Sequence, residues 1–270
     1  MSSSGRSSLQ LNFVLPFNDS PVLRDRITAI FSGDLQGAEK VASSRYAKVV
    51  RFKAETGGEV KYFFYKEFLF RNLRDRLSVL VRSSRAKRAL MGSLILIDHG
   101  FDTASPVCVG EERRLGIVVR SIFVTEAVPD VTELAAYLDR DLPGRDAAWI
   151  VRKRNFLKEY GRVIGRLHRE GIFQGDLRER NVLVREGDPP KFFLIDNERT
   201  RRYRNLPDRK RLKNLVQANM YAFKGVTRTD RVRFFCAYLE ENPGLIPQKK
   251  VWMTKILRKT RFRLRKKGRL

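Results

Sequence analysis

Alternating apolar and polar positions predict strands at Ala38 to Ala42, Tyr46 to Lys53 and Val60 to Phe68. The turn Glu55-Thr56-Gly57-Gly58 joins the last two as a hairpin. The period then lengthens to that of helices, at Leu73 to Val81 and at Ser84 to Leu96, with Ser83 or Ser84 as N-cap and His99-Gly100 as the stop. Two more strands are expected at Pro106 to Gly110 and Leu115 to Thr125, around the charged turn Glu111 to Arg114. Asp130 and Glu133 resemble a capping box for a helix over Val131 to Asp139. The strongest helix signal covers 146–170, where Ile150, Leu157, Tyr160, Ile164 and Leu167 share a face and Gly171 ends it. Val182 to Val184 and Phe192 to Ile195 read as strands joined by Glu186-Gly187-Asp188-Pro189-Pro190, and helices follow at 208–223 and 228–240. Residues 1–20 read as a flexible leader, with a short helix of uncertain role at 21–31.

Composition narrows the class. A hydrophobic content of 42% over 270 residues supports packed domains rather than global disorder. Cys108 and Cys236 are too few for a disulfide framework and lack metal-ligand spacing, which points to a reducing compartment. No apolar run approaches the ~20 residues needed to cross a bilayer. Gln10 and Asn12 interrupt the patch Leu9 to Leu15, which argues against a secretory signal and for a cytoplasmic protein. The net charge of +26 attracts polyanions, whether nucleic acid, anionic lipid or phosphorylated glycan, and by itself does not choose among them.

The chemistry concentrates in Gln174-Gly175-Asp176-Leu177-Arg178-Glu179-Arg180-Asn181 and in Ile195-Asp196-Asn197. An Asp, an Asn five residues on, and a second Asp at the end of an apolar strand are how protein kinases hold metal-ATP. Mg²⁺ demands hard oxygen ligands, and a hydroxyl attacking a terminal phosphate needs a carboxylate beside it. Asp176 is the candidate base, and Asn181 and Asp196 are the candidate metal ligands. Lys66 falls on one strand face with Val60, Tyr62, Phe64 and Phe68, where ATP phosphates would pair its ammonium. The alternative is a lysine whose head reaches solvent at the strand end. No Gly-rich phosphate loop lies between the first two strands; Arg45 in Ser43-Ser44-Arg45 is the available cover. Glu126 and Ala127 end the strand Ile122-Phe123-Val124, where a hinge would offer backbone groups to adenine.

Two basic stretches bear on partners. Arg199, Arg201, Arg202 and Arg204 form either a solvated face or a cradle for phosphate or carboxylate groups on an acceptor. Gln248 to Leu270 carries eleven Lys/Arg and no acid, with Met253, Ile256, Leu257 and Leu264 in one helical stripe and Trp252 at its edge. That pattern fits a helix lying on an anionic membrane; packing on the C-terminal lobe is the second reading. Nucleic acid is the third, without a recognisable module to support it.

Taken in order, Tyr65-Lys66, Ser84 to Ala89, Phe123 to Glu126, Leu167-His168-Arg169-Glu170-Gly171-Ile172, Gly175-Asp176-Leu177 through Asn181, Leu194-Ile195-Asp196 and Arg231 to Tyr238 resemble the lipopolysaccharide core kinase family. Its members are kinase-like enzymes that phosphorylate heptose or Kdo sugars of the inner core. The resemblance runs from about residue 36 to 240. It implies an α+β, bilobal protein-kinase-like fold: a leader at 1–33, an antiparallel N-lobe sheet over 34–127, a mostly helical C-lobe over 128–247, and a basic amphipathic segment at 248–270. It also implies ATP and Mg²⁺ as cofactors, inner-core lipid A as acceptor, and a place at the cytoplasmic face of the inner membrane. Three positions depart from the family pattern. Gln174 replaces His, Ala89 replaces the Glu that pairs with the strand lysine, and Asn214 replaces an acid that braces the catalytic loop. These departures leave open a protein or small-molecule kinase, or a weak kinase-like scaffold that binds nucleic acid.

Overall fold

The computed structural model describes residues 9–17, 20–70, 82–141, 146–220 and 225–268. They fall into two compact units, Met1–Ser93 with Ala104–Pro129, and Leu94–Thr103 with Asp130–Leu270.

The first unit is built on β1 (Leu9–Phe13), β2 (Ala38–Val41), β3 (Ala47–Thr56), β4 (Glu59–Phe68), β5 (Pro106–Arg114) and β6 (Ile117–Glu126). They form one antiparallel sheet in the order β1-β5-β6-β4-β3-β2. The β3–β4 hairpin closes at Thr56↔Glu59 through Gly57 and Gly58, both at positive φ, the two-glycine turn that strand twist favours. The described part of the expected leader joins this sheet. Leu9 to Phe13 pairs residue by residue with β5, and Gln10 and Asn12 are the more exposed alternate positions of a strand.

Helix α1 (Pro21–Ser32) is capped by Ser20, whose hydroxyl accepts from the Leu23 N–H, and it ends at Gly33 with φ 102°. Leu23, Ile27 and Ile30 pack against Val50, Phe52, Phe63, Tyr65, Ile122 and Val124. α1 buries Phe63 and Tyr65 on one face of β4, while the Lys66 face is buried at its Phe68 end and opens towards Val60. On the Lys66 face Val60 is 67% exposed and Tyr62 37%. Both faces of β4 are rich in aromatics, so alternation alone did not single out the one that α1 covers. Glu67 lies on the α1 side, where Arg120 pairs with it at 2.7 Å, donates to the Phe31 carbonyl and stacks on the Phe31 ring.

Helix α2 (Arg85–Asp98) starts where the Ser84 hydroxyl accepts from the Lys87 N–H. Ala86 and Ala89 pack in a small cluster with Phe68, Val109 and Phe123. The helix expected at Leu73 to Val81 lies outside the described residues.

The second unit gathers α3 (Ala147–Arg169), α4 (Asp208–Ala218), α5 (Arg228–Glu240) and α6 (Lys249–Lys266). Its short strands are β7 (Thr132–Glu133), β8 (Ile172–Phe173), β9 (Val182–Arg185), β10 (Lys191–Leu194) and β11 (Arg201–Arg202). β7 pairs with β9, so the helix expected from Val131 is shortened to a turn at Leu134–Ala136 followed by a π-turn at Tyr137–Asp141. Phe156, Leu157, Tyr160, Ile164 and Leu167 of α3 form the centre of the core with Leu215, Val216, Phe235 and Tyr238. The C-terminal segment also differs from expectation. Trp252 and Ile256 of α6 are buried in this core and Met253 packs against it, which leaves Leu257 and Phe262 exposed with the basic residues. Trp252, Met253 and Ile256 are thus spent on the core, while Leu257 of the same stripe stays outside it.

α3 and α5 approach closely through two glycines. A Cβ at Gly161 would sit 2.3 Å from the Phe234 carbonyl oxygen, and one at Gly165 would sit 2.9 Å from that of Tyr238. Backbone atoms in a packed helix cannot yield cheaply. Gly161→Ala is expected to lower stability by about 1–3 kcal/mol, read as a drop in Tm by calorimetry, in spite of alanine's better helix propensity.

Candidate active site

The catalytic segment is a loop held from three sides. It leaves α3 at Gly171 (φ 75°), where the Tyr203 N–H donates to the Gly171 carbonyl, and β8 pairs with β11. A Cβ on Gly175 would stand 2.1 Å from the Arg199 Cβ, so only glycine lets the chain pass before Asp176. Downstream, β9 and β10 form the expected hairpin and deliver Asp196 in the left-handed region at φ 60°. Asp accepts that conformation more readily than most residues, and such outliers concentrate at functional sites.

Gln174 connects these pieces. Its side-chain carbonyl accepts from the Asp176 N–H at 2.6 Å, and its amide donates to the Ile195 carbonyl at 3.1 Å. Asn181 adds two links: its amide donates to the Asp176 carbonyl at 2.8 Å, and its own carbonyl accepts from the Ile195 N–H. The candidate base and the two candidate metal ligands are thus tied together through neighbouring backbone. From the far side, Thr103 donates to the Leu194 carbonyl at 2.6 Å and accepts from Asn197.

Asp176 has one carboxylate oxygen, Oδ1, occupied twice, by Arg178 Nε at 2.7 Å and by Gln217 Nε2 at 3.1 Å. Behind Gln217 runs a buried chain whose direction is fixed by donor inventory. The Asn214 amide donates to the Gln174 carbonyl and to the Gln217 side-chain carbonyl, which leaves Asn214 Oδ1 as an acceptor for His168 Nε2. His168 Nδ1 then accepts from the Tyr238 hydroxyl, which itself accepts from Arg211. The ring is neutral: burial first, then the Arg211 charge, bring its pKa down to about 3. Lys213, on α4, donates to the Gly175 carbonyl at 3.2 Å.

The residues expected to handle nucleotide lie in the first unit. Lys66 is half-buried on β4 opposite Val49 and Phe123, with its amine 5.2 Å from the Phe68 ring centre. Arg45 stacks on Tyr46 at 4.7 Å. The hinge expectation needs amendment. The Glu126 N–H donates to the Ser105 carbonyl and the Ala127 N–H to the Tyr62 carbonyl, so both donors are already used within the unit. Neither N–H is available to a base. The Glu126 carboxylate meets Lys61 at 3.3 Å. With Ala89 in place of an acid, α2 is pinned through Lys87, which pairs with buried Glu111 of β5 at 3.3 Å; Arg113 holds the same carboxylate at 2.7 Å.

Among the described residues no cluster of three His, Cys, Asp or Glu side chains could hold a metal. Asn181 and Asp196 supply an amide and a carboxylate. That is the sparse hard-oxygen set Mg²⁺ takes when phosphates and water complete its shell, and these residues fit it.

A loop-borne Asp, an Asn and a second Asp behind a hairpin in one unit, with an antiparallel sheet bearing a strand lysine in the other, are the parts of a phosphotransferase of protein-kinase-like fold. A solved structure described as "WaaP in complex with acyl carrier protein" shares that fold, with TM-score 0.67 and 22% identity over 93% of this chain and 98% of that one. The chain belongs to the lipopolysaccharide kinase (Kdo/WaaP) family, whose model matches residues 36–238. No curated protein matches the chain.

His168 makes stability depend on pH. Its folded-state pKa lies below the unfolded value of about 6.5, so the unfolded chain binds the extra proton. The contribution is complete above that value and is lost as pH falls toward the folded pKa, at about 1.4 kcal/mol per pH unit. Urea unfolding at pH 7 and pH 5 is expected to show this loss, and His168→Gln to flatten it.

Proposed function

We propose that this enzyme transfers the γ-phosphate of ATP to a heptose or Kdo hydroxyl of the lipopolysaccharide inner core. The observation that carries the reading is the Gln174 clamp, which ties the Asp176 loop to the strand end bearing Asp196. In a static scaffold these residues would have no reason to share one brace. Gln174 and Asn214, the two departures nearest the loop, both make the bonds a catalytic loop needs. This favours an active kinase over a weak scaffold.

In this reading Asp176 orients the acceptor hydroxyl and takes its proton as the oxygen bonds to phosphorus and the bond to ADP breaks. With Oδ1 held by Gln217 and Arg178, the other oxygen faces that task. Lys66 neutralises nucleotide phosphate, and Arg45 covers it. Asn181 and Asp196 would hold Mg²⁺, which when bound offsets charge on the transferred group. The test is phosphate transfer from ATP to core-bearing lipid A. Asp176→Asn and Asp196→Asn are each expected to lower kcat by 10³-fold or more, roughly the 4 kcal/mol that base or metal positioning supplies. Full transfer by either variant would defeat the assignment.

A lipid-anchored acceptor supports a location at the cytoplasmic face of the inner membrane. With Trp252 and Ile256 in the core, the contact would be made by the outer face of α6, where Lys255, Arg258, Lys259 and Arg261 flank exposed Phe262. Each such charge contributes on the order of 1 kcal/mol near anionic lipid. Replacing Arg258, Lys259 and Arg261 by Gln is expected to weaken sedimentation with phosphatidylglycerol vesicles about tenfold or more, and to leave binding to phosphatidylcholine vesicles unchanged. Equal loss on both would sink the electrostatic contact.

A further inference from the structure

α4 presents Lys210 and Lys213 one turn apart beside the catalytic loop, and both amines lie over the Phe173 ring, at 4.7 Å and 5.1 Å from its centre. Lys213 reaches the carbonyl of Gly175, the residue before Asp176. Arg199 packs its backbone and Cβ against the same glycine, and its charge and that of Lys210 both act on Lys213. Three cationic residues therefore gather at one backbone position next to Asp176. No carboxylate among the described residues lies within 4.0 Å of either lysine amine. The charges facing Lys213 are Arg199, Lys210 and Arg263, with Asp176 as the one acid, and burial together with these cations holds its pKa below the usual lysine value. Arg199 has a partner in Glu198, whose carboxylate is 3.4 Å from its Nε, but its side chain is half exposed.

Arg201 and Arg202 of the run 199–204 are engaged elsewhere. Arg201 donates to the Thr200 carbonyl and Arg202 to that of Glu170. Repulsion of this kind costs stability unless an anion offsets it. The nucleotide's phosphates are one source. The location beside Gly175, on the loop that presents Asp176 to the acceptor, favours the other.

We propose that Lys210, Lys213 and Arg199 form a binding subsite for an anionic group, carboxylate or phosphate, carried by the acceptor next to the hydroxyl that is phosphorylated. The subsite rests on the acceptor assignment above and deepens it: the enzyme selects a hydroxyl by the negative charge at its side. Phe173 supplies a rigid apolar floor that keeps both ammonium groups over one spot.

The test uses the full-length protein with Kdo-bearing lipid A as acceptor, compared with the same acceptor after methyl esterification of its carboxylates or removal of its phosphates. Lys213→Gln and the double variant Lys210→Gln/Arg199→Gln are expected to raise KM for the native acceptor about tenfold or more, with KM for ATP within about twofold. Wild type is expected to lose the same factor on whichever modified acceptor lacks the recognised group, and the variants to lose nothing more there. Lys213→Arg restores the native KM. That coupling separates a subsite from a structural role, and the responsive acceptor identifies carboxylate or phosphate as the source. A rise in KM for ATP instead would assign the cluster to the nucleotide and overturn the proposal, as would variants that match wild type on every acceptor. Equilibrium binding of the three acceptors is measured in parallel. Loss of charge-dependent binding in the variants supports the subsite even if no acceptor is phosphorylated, an outcome that would count against the proposed function alone.

Discussion

A single side chain, Gln174, ties the segment that carries Asp176 to the one that carries Asp196. It lies fully buried, and its amide satisfies two backbone groups belonging to different segments, the N–H of Asp176 and the carbonyl of Ile195, just before Asp196. A buried amide left with one partner would cost on the order of 1–3 kcal/mol, so the two segments keep their spacing or lose stability together. A histidine ring could brace the same loop; a glutamine does so with one donor and one acceptor at the end of a flexible arm.

Arg178 pairs with Asp176 on one side, and behind Asp176 runs a buried chain of mostly neutral groups. From Arg211 through Tyr238, His168, Asn214 and Gln217, each group donates to the next, and the last donates to Asp176. Where a kinase would have an acid, Asn214 both accepts from the histidine and donates forward, which a carboxylate could not do. The consequence is a histidine that must stay uncharged. Apart from Arg211 at its head, the basic residues near this chain, Lys210 and Lys213 on α4 and Arg199 in its turn, lie at the loop itself. The active-site loop therefore sits between a neutral, directional interior and a cationic rim, an arrangement suited to an anionic acceptor.

The first unit follows a different rule. Its lysine strand is buried on the face away from Lys66, by α1 against Phe63 and Tyr65. The missing helix acid is matched by an inverted pair, with Glu111 on the strand and Lys87 on the helix. Both arrangements keep α2 against the sheet. The hinge donors of Glu126 and Ala127 are spent on Ser105 and Tyr62, because the strand continues its pairing to its last residue.

Periodicity and motif spacing by themselves determined most of the architecture: the hairpin through Gly57-Gly58, the long helix ending at Gly171, and the order Asp176, Asn181, Asp196. These are local facts, since a two-residue or 3.6-residue repeat and a five-residue interval survive without knowledge of partners. Tertiary structure alone decided which face of an element is inside. The same alternation Leu9 to Phe13 that read as an interrupted patch became an edge strand once β5 was there to pair with it. Part of the stripe of α6 went to the core because α4 offered it a surface, and β4 turned its other face inward because α1 covers it. The links from Gln217 and Lys213 to the catalytic loop had no sequence signal at all. Residues about forty positions apart meet only when the chain folds, and hydrogen-bond partners at that distance leave no period to read.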